Sequence, residues 1–263
     1  MFEKKKSLIL IKLGGSVITD KSKPYTARMK IIKQLSKEIH QFRTENHNVN
    51  IIVGHGGGSF PHTSAAKYQT QKGFINSESV RGLAIVQNDA AMLNRIIVKE
   101  MLDAGENAIS VQPSAFMIAK NDHIVKSFLK PIKKMIGAGV VPVPYGDVAI
   151  DKAKGCCILS TEEILNHLAK EFDANKIIEV SDTPVLDANK NIISEITRNN
   201  FESIKPMLGG SVGAADVTGG MLLKVEMAVK SAEDGVETHI INGLVKDNLL
   251  RSLRGENVGT RIH

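Results

Sequence analysis

The chain has 263 residues, 42% hydrophobic and 24% charged, which suits a globular α/β protein and excludes disordered and fibrous classes. The net charge is +6, but only eight of the 34 basic residues are Arg and aromatic residues are 4%. The dense basic face and aromatic readers of a nucleic-acid binder are therefore missing.

The N-terminal Met1-Phe2-Glu3-Lys4-Lys5-Lys6 precedes an apolar stretch, Ser7 to Ile11, that Lys12 interrupts. No small-residue cleavage site follows, so the segment reads as a first strand in a cytoplasmic protein rather than a signal peptide. Leu8 to Leu13 is that strand, ending at Gly14-Gly15. Met29 to Phe42 has helical spacing, with Ile31, Ile32, Leu35 and Ile39 on one face. Val49 to Val53 is the next strand and again ends in glycines. Val80 to Ala104 reads as a long helix that Gly105 stops. Further buried strands are expected at Ile109 to Val111, Val140 to Val143, Ile177 to Val180 and His239 to Ile241. Helices are expected between them at Ile132 to Ile136, Thr161 to Glu171 and Met221 to Gly235.

This alternation predicts an α/β fold, a three-layer αβα sandwich around a mostly parallel sheet. It reads as one domain over 1–263, with lobes of about 1–170 and 171–263 meeting near Lys170 to Asn175. No run of about 18 apolar residues occurs, so no membrane partner is expected. Cys156 and Cys157 are neighbours, which disfavours a mutual disulfide and gives no metal-ligand pattern.

Three glycine clusters fall at strand ends or before a helix, where backbone amides approach a ligand closely. They are Lys12-Leu13-Gly14-Gly15-Ser16, Gly54-His55-Gly56-Gly57-Gly58-Ser59-Phe60, and Asp216-Val217-Thr218-Gly219-Gly220-Met221. The familiar single-motif solutions are absent. No G-x-x-x-x-G-K-[ST] loop, G-x-G-x-x-G turn, protein-kinase signature or H-E-x-x-H pair occurs. What remains is a phosphate site assembled from separate glycine loops and lysines. Lys12 ends an apolar strand and needs an anion there, because a buried unpaired ammonium is costly. Lys224 follows the third cluster and is expected on the first turn of a helix. A cation is disfavoured at that positive end unless an anion binds beside it. Lys21 carries little signal on its own.

Together with Gln112-Pro113-Ser114-Ala115-Phe116 and Tyr145-Gly146-Asp147-Val148, these runs resemble the amino acid kinase superfamily from about Leu8 to Thr260. Within it they are most similar to the archaeal isopentenyl phosphate kinases. His62, downstream of His55-Gly56-Gly57-Gly58, is the discriminating residue. Isopentenyl phosphate and fosfomycin kinases carry it, whereas glutamate, aspartate, acetylglutamate and uridylate kinases do not.

The resemblance implies ATP-dependent phosphorylation of isopentenyl phosphate to the diphosphate, a step in making isoprenoids. It implies a homodimer through the Val80 to Ala104 helix and Mg²⁺ held mainly by ATP phosphates. The N-terminal lobe would take the substrate and the C-terminal lobe the nucleotide. Lys12, Gly14, Gly15 and Ser16 would hold ATP phosphates, with Gly58, Ser181, Asp182, Gly219, Gly220 and Lys224 completing the nucleotide site. Gly57, His62 and Thr161 would hold the acceptor, and Lys21 would act in the transition state. Glu162 would orient the lysines, and no protein metal site is expected.

Three segments depart from the family pattern. Pro61 replaces the Gly before the His, Ser160-Thr161-Glu162 replaces Ser-Gly-Asp, and Ser181-Asp182-Thr183-Pro184-Val185 replaces a longer Thr-Asp-Val-Asp-Gly-Val. The first two leave open a kinase of another small phosphate or phosphonate. The altered Glu162 and the last segment leave open a catalytically silent ligand-sensing relative. For the acceptor's tail, Phe74, Leu83, Ile85, Val86, Met92, Phe116 and Met117 are candidates. Lys12 and His62 are both expected to serve an anion absent from the free protein, and hence to carry little fold stability.

Overall fold

The computed structural model describes residues 7–208 and 220–263, so Asp216 to Gly219 of the third glycine cluster lie outside the described residues. The first half of the chain forms β1 (Ser7–Leu13), α1 (Gly15–Ile18), α2 (Met29–Glu45), β2 (Val49–His55), α3 (Pro61–Tyr68) and α4 (Ser79–Asp103). There follow β3 (Ala108–Ser110), β4 (Met117–Lys120), β5 (His123–Ser127), α5 (Lys130–Gly137), β6 (Val141–Val143), β7 (Asp147–Asp151) and β8 (Gly155–Leu159). The rest is α6 (Thr161–Phe172), β9 (Lys176–Ser181), β10 (Glu195–Ile196), α7 (Arg198–Leu208), α8 (Gly220–Glu233), β11 (Glu237–Asn242), α9 (Asn248–Leu253) and β12 (Gly259–Ile262).

The main sheet runs β10-β12-β11-β9-β1-β2, parallel except where β12 meets β11. A bridge between His55 and Tyr145 sets the parallel pair β3-β6 beside β2. Side chains alternate along β1. Ile9, Ile11 and Leu13 pack with Leu35 and Ile39 of α2 and Leu93 and Ile97 of α4. Leu8 and Leu10 pack on the other face with Ile164, Leu165 and Leu168 of α6. Val225 and Ala228 of α8 pack on Ile240 of β11, which pairs across to Glu179 on that same face. The αβα sandwich therefore forms as the alternation predicts.

Register then does something the strand pattern alone did not disclose. Lys12 stands opposite Gly54 on one side and Glu179 on the other. Directly paired residues of neighbouring strands point to one face, so the sheet itself sets a cation beside a carboxylate.

A second sheet, β5-β4-β7-β8, is mostly antiparallel and was not among the predicted elements. Its first hairpin turns on Asn121 and Asp122, at φ 53° and 69°. Those are the left-handed conformations a two-residue hairpin needs, here met without glycine. The Asp151 carboxylate braces both hairpins, accepting backbone N–H bonds from Asn121, Asp122, Ala153 and Lys154. Burial opposes its charge, but those four donors prevail and draw its pKa down to about 2. Cys156 and Cys157 are buried in β8 and unpaired. Among the described residues no helix is long and apolar enough to cross a membrane.

Candidate active site

A cavity of about 270 Å³ opens at the carboxyl ends of β1 and β2, the usual ligand position in an open α/β sheet. Lys12, Lys21, His62 and Lys224 all line it, with Gly14, Gly15, Ser16, Gly57, Gly58, Thr161 and Glu162. Four distant segments thus converge, as the resemblance implied. Gly220 opens α8 below Lys224, and Lys224 itself lies in the second turn rather than the first. The Gly219 assignment falls outside the described residues.

Lys12 was expected to serve an anion absent from the free protein, but it already has carboxylate partners there. Its side chain is 4% exposed and ion-pairs with Glu162 and, at 3.3 Å, with Glu179. Burial disfavours its charge, yet Glu179 and Glu162 outweigh that and raise its pKa. Lys12 is therefore a structural cation in the free protein. Glu162 has one more methylene than the family's Asp, and it still reaches the lysine. Burial works against the Glu162 carboxylate too, but Lys12 holds its pKa below the ordinary value of 4.5.

Lys224 donates to Ser181 Oγ at 3.2 Å, and Ser181 Oγ donates to Asp182 Oδ1 at 3.2 Å. Ser181 and Asp182 do not themselves line the cavity. They touch it through Lys224. Burial, then repulsion from Lys12, pushes the Lys224 pKa down, an environment that an incoming anion would relieve.

The glycines of the two loops interlock. A Cβ on Gly15 would lie 2.6 Å from Gly58 N, and one on Gly58 (φ 55°) would lie 2.2 Å from Thr19 Oγ1. Thr19 Oγ1 donates to Gly15 O at 2.6 Å and accepts from Ser59 N at 3.0 Å, tying the loops together. Gly14 N–H is spent on Val180 O at 2.8 Å. Gly14 therefore gives close approach rather than an amide for phosphate.

Pro61 does not turn His62 away. It occupies the first turn of α3, where a missing N–H costs the helix nothing, and packs against Gly57. His62 follows it, exposed and lining the cavity beside Lys21. The surrounding protein and then the Lys21 ammonium lower its pKa from 6.5, so the free site holds a neutral imidazole at pH 7. Thr161 is buried at the start of α6 and donates to His55 O at 2.7 Å.

Of the tail candidates only Val86 lines the cavity. Ala65, Ala90 and Ile158 join it as an apolar wall. Met117 belongs to the core, Leu83 packs behind Val86, and Phe74 and Met92 are exposed.

Sequence reasoning gave no role to Asp147, which also lines the cavity. It is 2% exposed, Oδ2 accepts from Ser114 N at 3.0 Å, and Oδ1 has no partner among the described residues. Burial raises its pKa to about 6. A raised carboxyl pKa means that the ionised form costs stability, increasingly as pH climbs from 3.8 through 6. Asp147→Asn should therefore be more stable than the parent at pH 8, by up to about 3 kcal/mol, with the gap closing by about pH 4. Thermal unfolding across pH measures it, and an equal gap at both pH values would refute the assignment.

The amino acid kinase family profile matches residues 7–242. The chain belongs to the amino acid kinase family. Among members of that family, it is 33% identical to the isopentenyl phosphate kinase of Methanocaldococcus jannaschii, covering 97% of this chain and 98% of that one. It is 32% identical to the isopentenyl phosphate kinase of Methanothermobacter thermautotrophicus over the same shares. The fold is similar to a crystallographic isopentenyl phosphate kinase at 30% identity, with a TM-score of 0.82 over 97% of this chain and 100% of that one.

Proposed function

We propose that the chain transfers the γ-phosphoryl group of ATP to the phosphate of isopentenyl phosphate, giving isopentenyl diphosphate and ADP. An acceptor oxygen bonds to the γ-phosphorus while the bond to the β,γ-bridging oxygen breaks. What supports this most is one cavity holding two kinds of wall. Lys12, Lys224 and the interlocked glycines suit a polyphosphate, while His62 and Lys21 stand beside the apolar Ala65, Val86, Ala90 and Ile158.

Such transfers demand in-line placement and neutralised oxygens rather than covalent help. Lys12, held by two carboxylates, cannot swing away from the transferring group. Lys21 meets the transition state, and His62 donates an N–H to the acceptor's own phosphate. Phosphate is thereby favoured over a carboxylate acceptor. Glu162 and Glu179 are both engaged by Lys12, so Mg²⁺ would be carried by ATP phosphates, where it offsets their charge. The chain works as a cytoplasmic homodimer in this reading. Exposed Val80 and Met92 on α4 and two unpaired buried cysteines are in keeping with that.

The test couples ADP release to added acceptor with Mg²⁺. Turnover is expected with isopentenyl phosphate and not with glutamate or acetylglutamate. Turnover only with a phosphonate would assign another acceptor, and no Mg-ATP binding at millimolar concentration would mean a silent relative.

A further inference from the structure

We infer that Tyr25 and Asp89 form a latch that positions Lys21 in the cavity. The inference rests on the phosphoryl-transfer reading above, because it concerns how one of that site's cations is held.

Lys21 rides on a short excursion between α1 and α2 whose base is well secured. Thr19 bridges to Ala27, Asp20 N–H donates to Thr26 O at 2.9 Å, and Arg28 N–H donates to Ile18 O at 2.8 Å. The tip is organised locally, since the Asp20 carboxylate accepts from Ser22 N at 3.0 Å and Ser22 Oγ at 2.6 Å. None of these contacts aims the tip at the cavity. Tyr25 supplies that connection.

Its N–H donates to Ser59 O at 3.2 Å, and its ring meets Phe60 edge-on, with centroids 5.8 Å apart. Its hydroxyl donates to Asp89 Oδ2 on α4 at 2.9 Å. Asp89 is 5% exposed and immediately precedes Ala90, part of the apolar wall. One side chain therefore pins the excursion to the loop that carries the acceptor and to the helix that walls it.

Two further features mark the contact as specified rather than incidental. Tyr25 adopts φ 52°, a left-handed backbone that a residue with a bulky side chain keeps only when its surroundings impose it. A carboxyl group as buried as Asp89 needs a hydrogen-bond partner, and the Tyr25 hydroxyl supplies one. Without the Tyr25 hydroxyl, the excursion keeps its backbone bonds to Ser59 but loses its tie to α4.

The experiment compares kinetics and hydrogen exchange in the full-length protein. Tyr25→Phe retains the ring on Phe60 and removes only the hydroxyl. It should lower kcat about 10- to 100-fold, as small misplacements of a catalytic group do, with KM for ATP within about twofold. Asp89→Ala should match it, and the double variant should be no worse than either single one. Asp89→Asn retains an acceptor oxygen and should remain within about threefold of wild type. The amides of Asp20, Tyr25 and Thr26 should exchange at least about tenfold faster in Tyr25→Phe. Unchanged exchange, unchanged kcat, or losses that multiply in the double variant would each overturn the latch. Exchange needs no turnover, so a wild type inactive on every alkyl phosphate would count against the proposed reaction alone.

Discussion

Replacing Lys12 by Met is expected to reduce kcat about 10³-fold, because the cation on the transferring group offsets charge that develops during transfer. A second effect arises from its place in the sheet. The change leaves Glu162 and Glu179 facing one another without the cation that joins them. Breaking a buried pair of this kind costs about 3–5 kcal/mol, and the partial exposure of Glu162 argues for the lower end. The pH dependence should reverse as well. In the wild type the Glu162 pKa lies below 4.5, so its contribution is complete above that pH and is lost as pH falls through the folded value. In Lys12→Met a proton becomes the substitute counter-charge, so the variant should gain stability between about pH 8 and 5. Thermal unfolding at those two pH values decides it. A variant as stable as wild type at pH 8 would show that Lys12 does not hold the pair together.

His62→Ala should leave ATP affinity unchanged and lower kcat/KM for the acceptor about 10- to 150-fold, the worth of a hydrogen bond to a charged oxygen. His62→Asn keeps an N–H of similar reach and should fall between the two. Unlike Lys12, His62 is exposed to the cavity and has no carboxylate partner among the described residues, so its loss should hardly move the melting temperature. Steady-state kinetics with each substrate varied separately distinguishes this from a general defect. A His62→Ala protein that melts many degrees lower with kcat/KM intact would make His62 structural and remove the strongest argument for a phosphate acceptor.

The contrast between these two residues shows what the chain reveals in one dimension. Lys12 was conspicuous as a charge closing an apolar strand. Glu179 bears the same signature inside Ile177 to Val180, yet its meaning depends on pairing across β1 and β9, which no local pattern encodes. The parallel core was legible because buried Val, Ile and Leu runs between helical periods leave few arrangements. The β5-β4-β7-β8 sheet was not, since its strands are short and its first turn uses Asn-Asp. The tail wall was misread for a different reason. Leu83, Val86 and Ala90 share one helical face, yet only Val86 and Ala90 of these reach the cavity, a difference set by tertiary packing rather than by spacing. Tyr25 gave no signal at all, because a tyrosine in a polar loop looks the same whether or not a buried carboxylate waits for it.

The interlocked glycines carry a consequence for how the two substrates communicate. Gly15 and Gly58 both belong to the proposed nucleotide site, but Gly58 sits on the loop that also carries Gly57 and leads to His62 of the proposed acceptor site, and Thr19 hydrogen-bonds to both sides of the clasp. There is no slack between them for even a methyl group. The loops are therefore expected to shift together, so that a ligand that stiffens one also constrains the other. Affinity for each substrate then belongs to the pair, and whatever help the first ligand gives the second must be returned in equal measure.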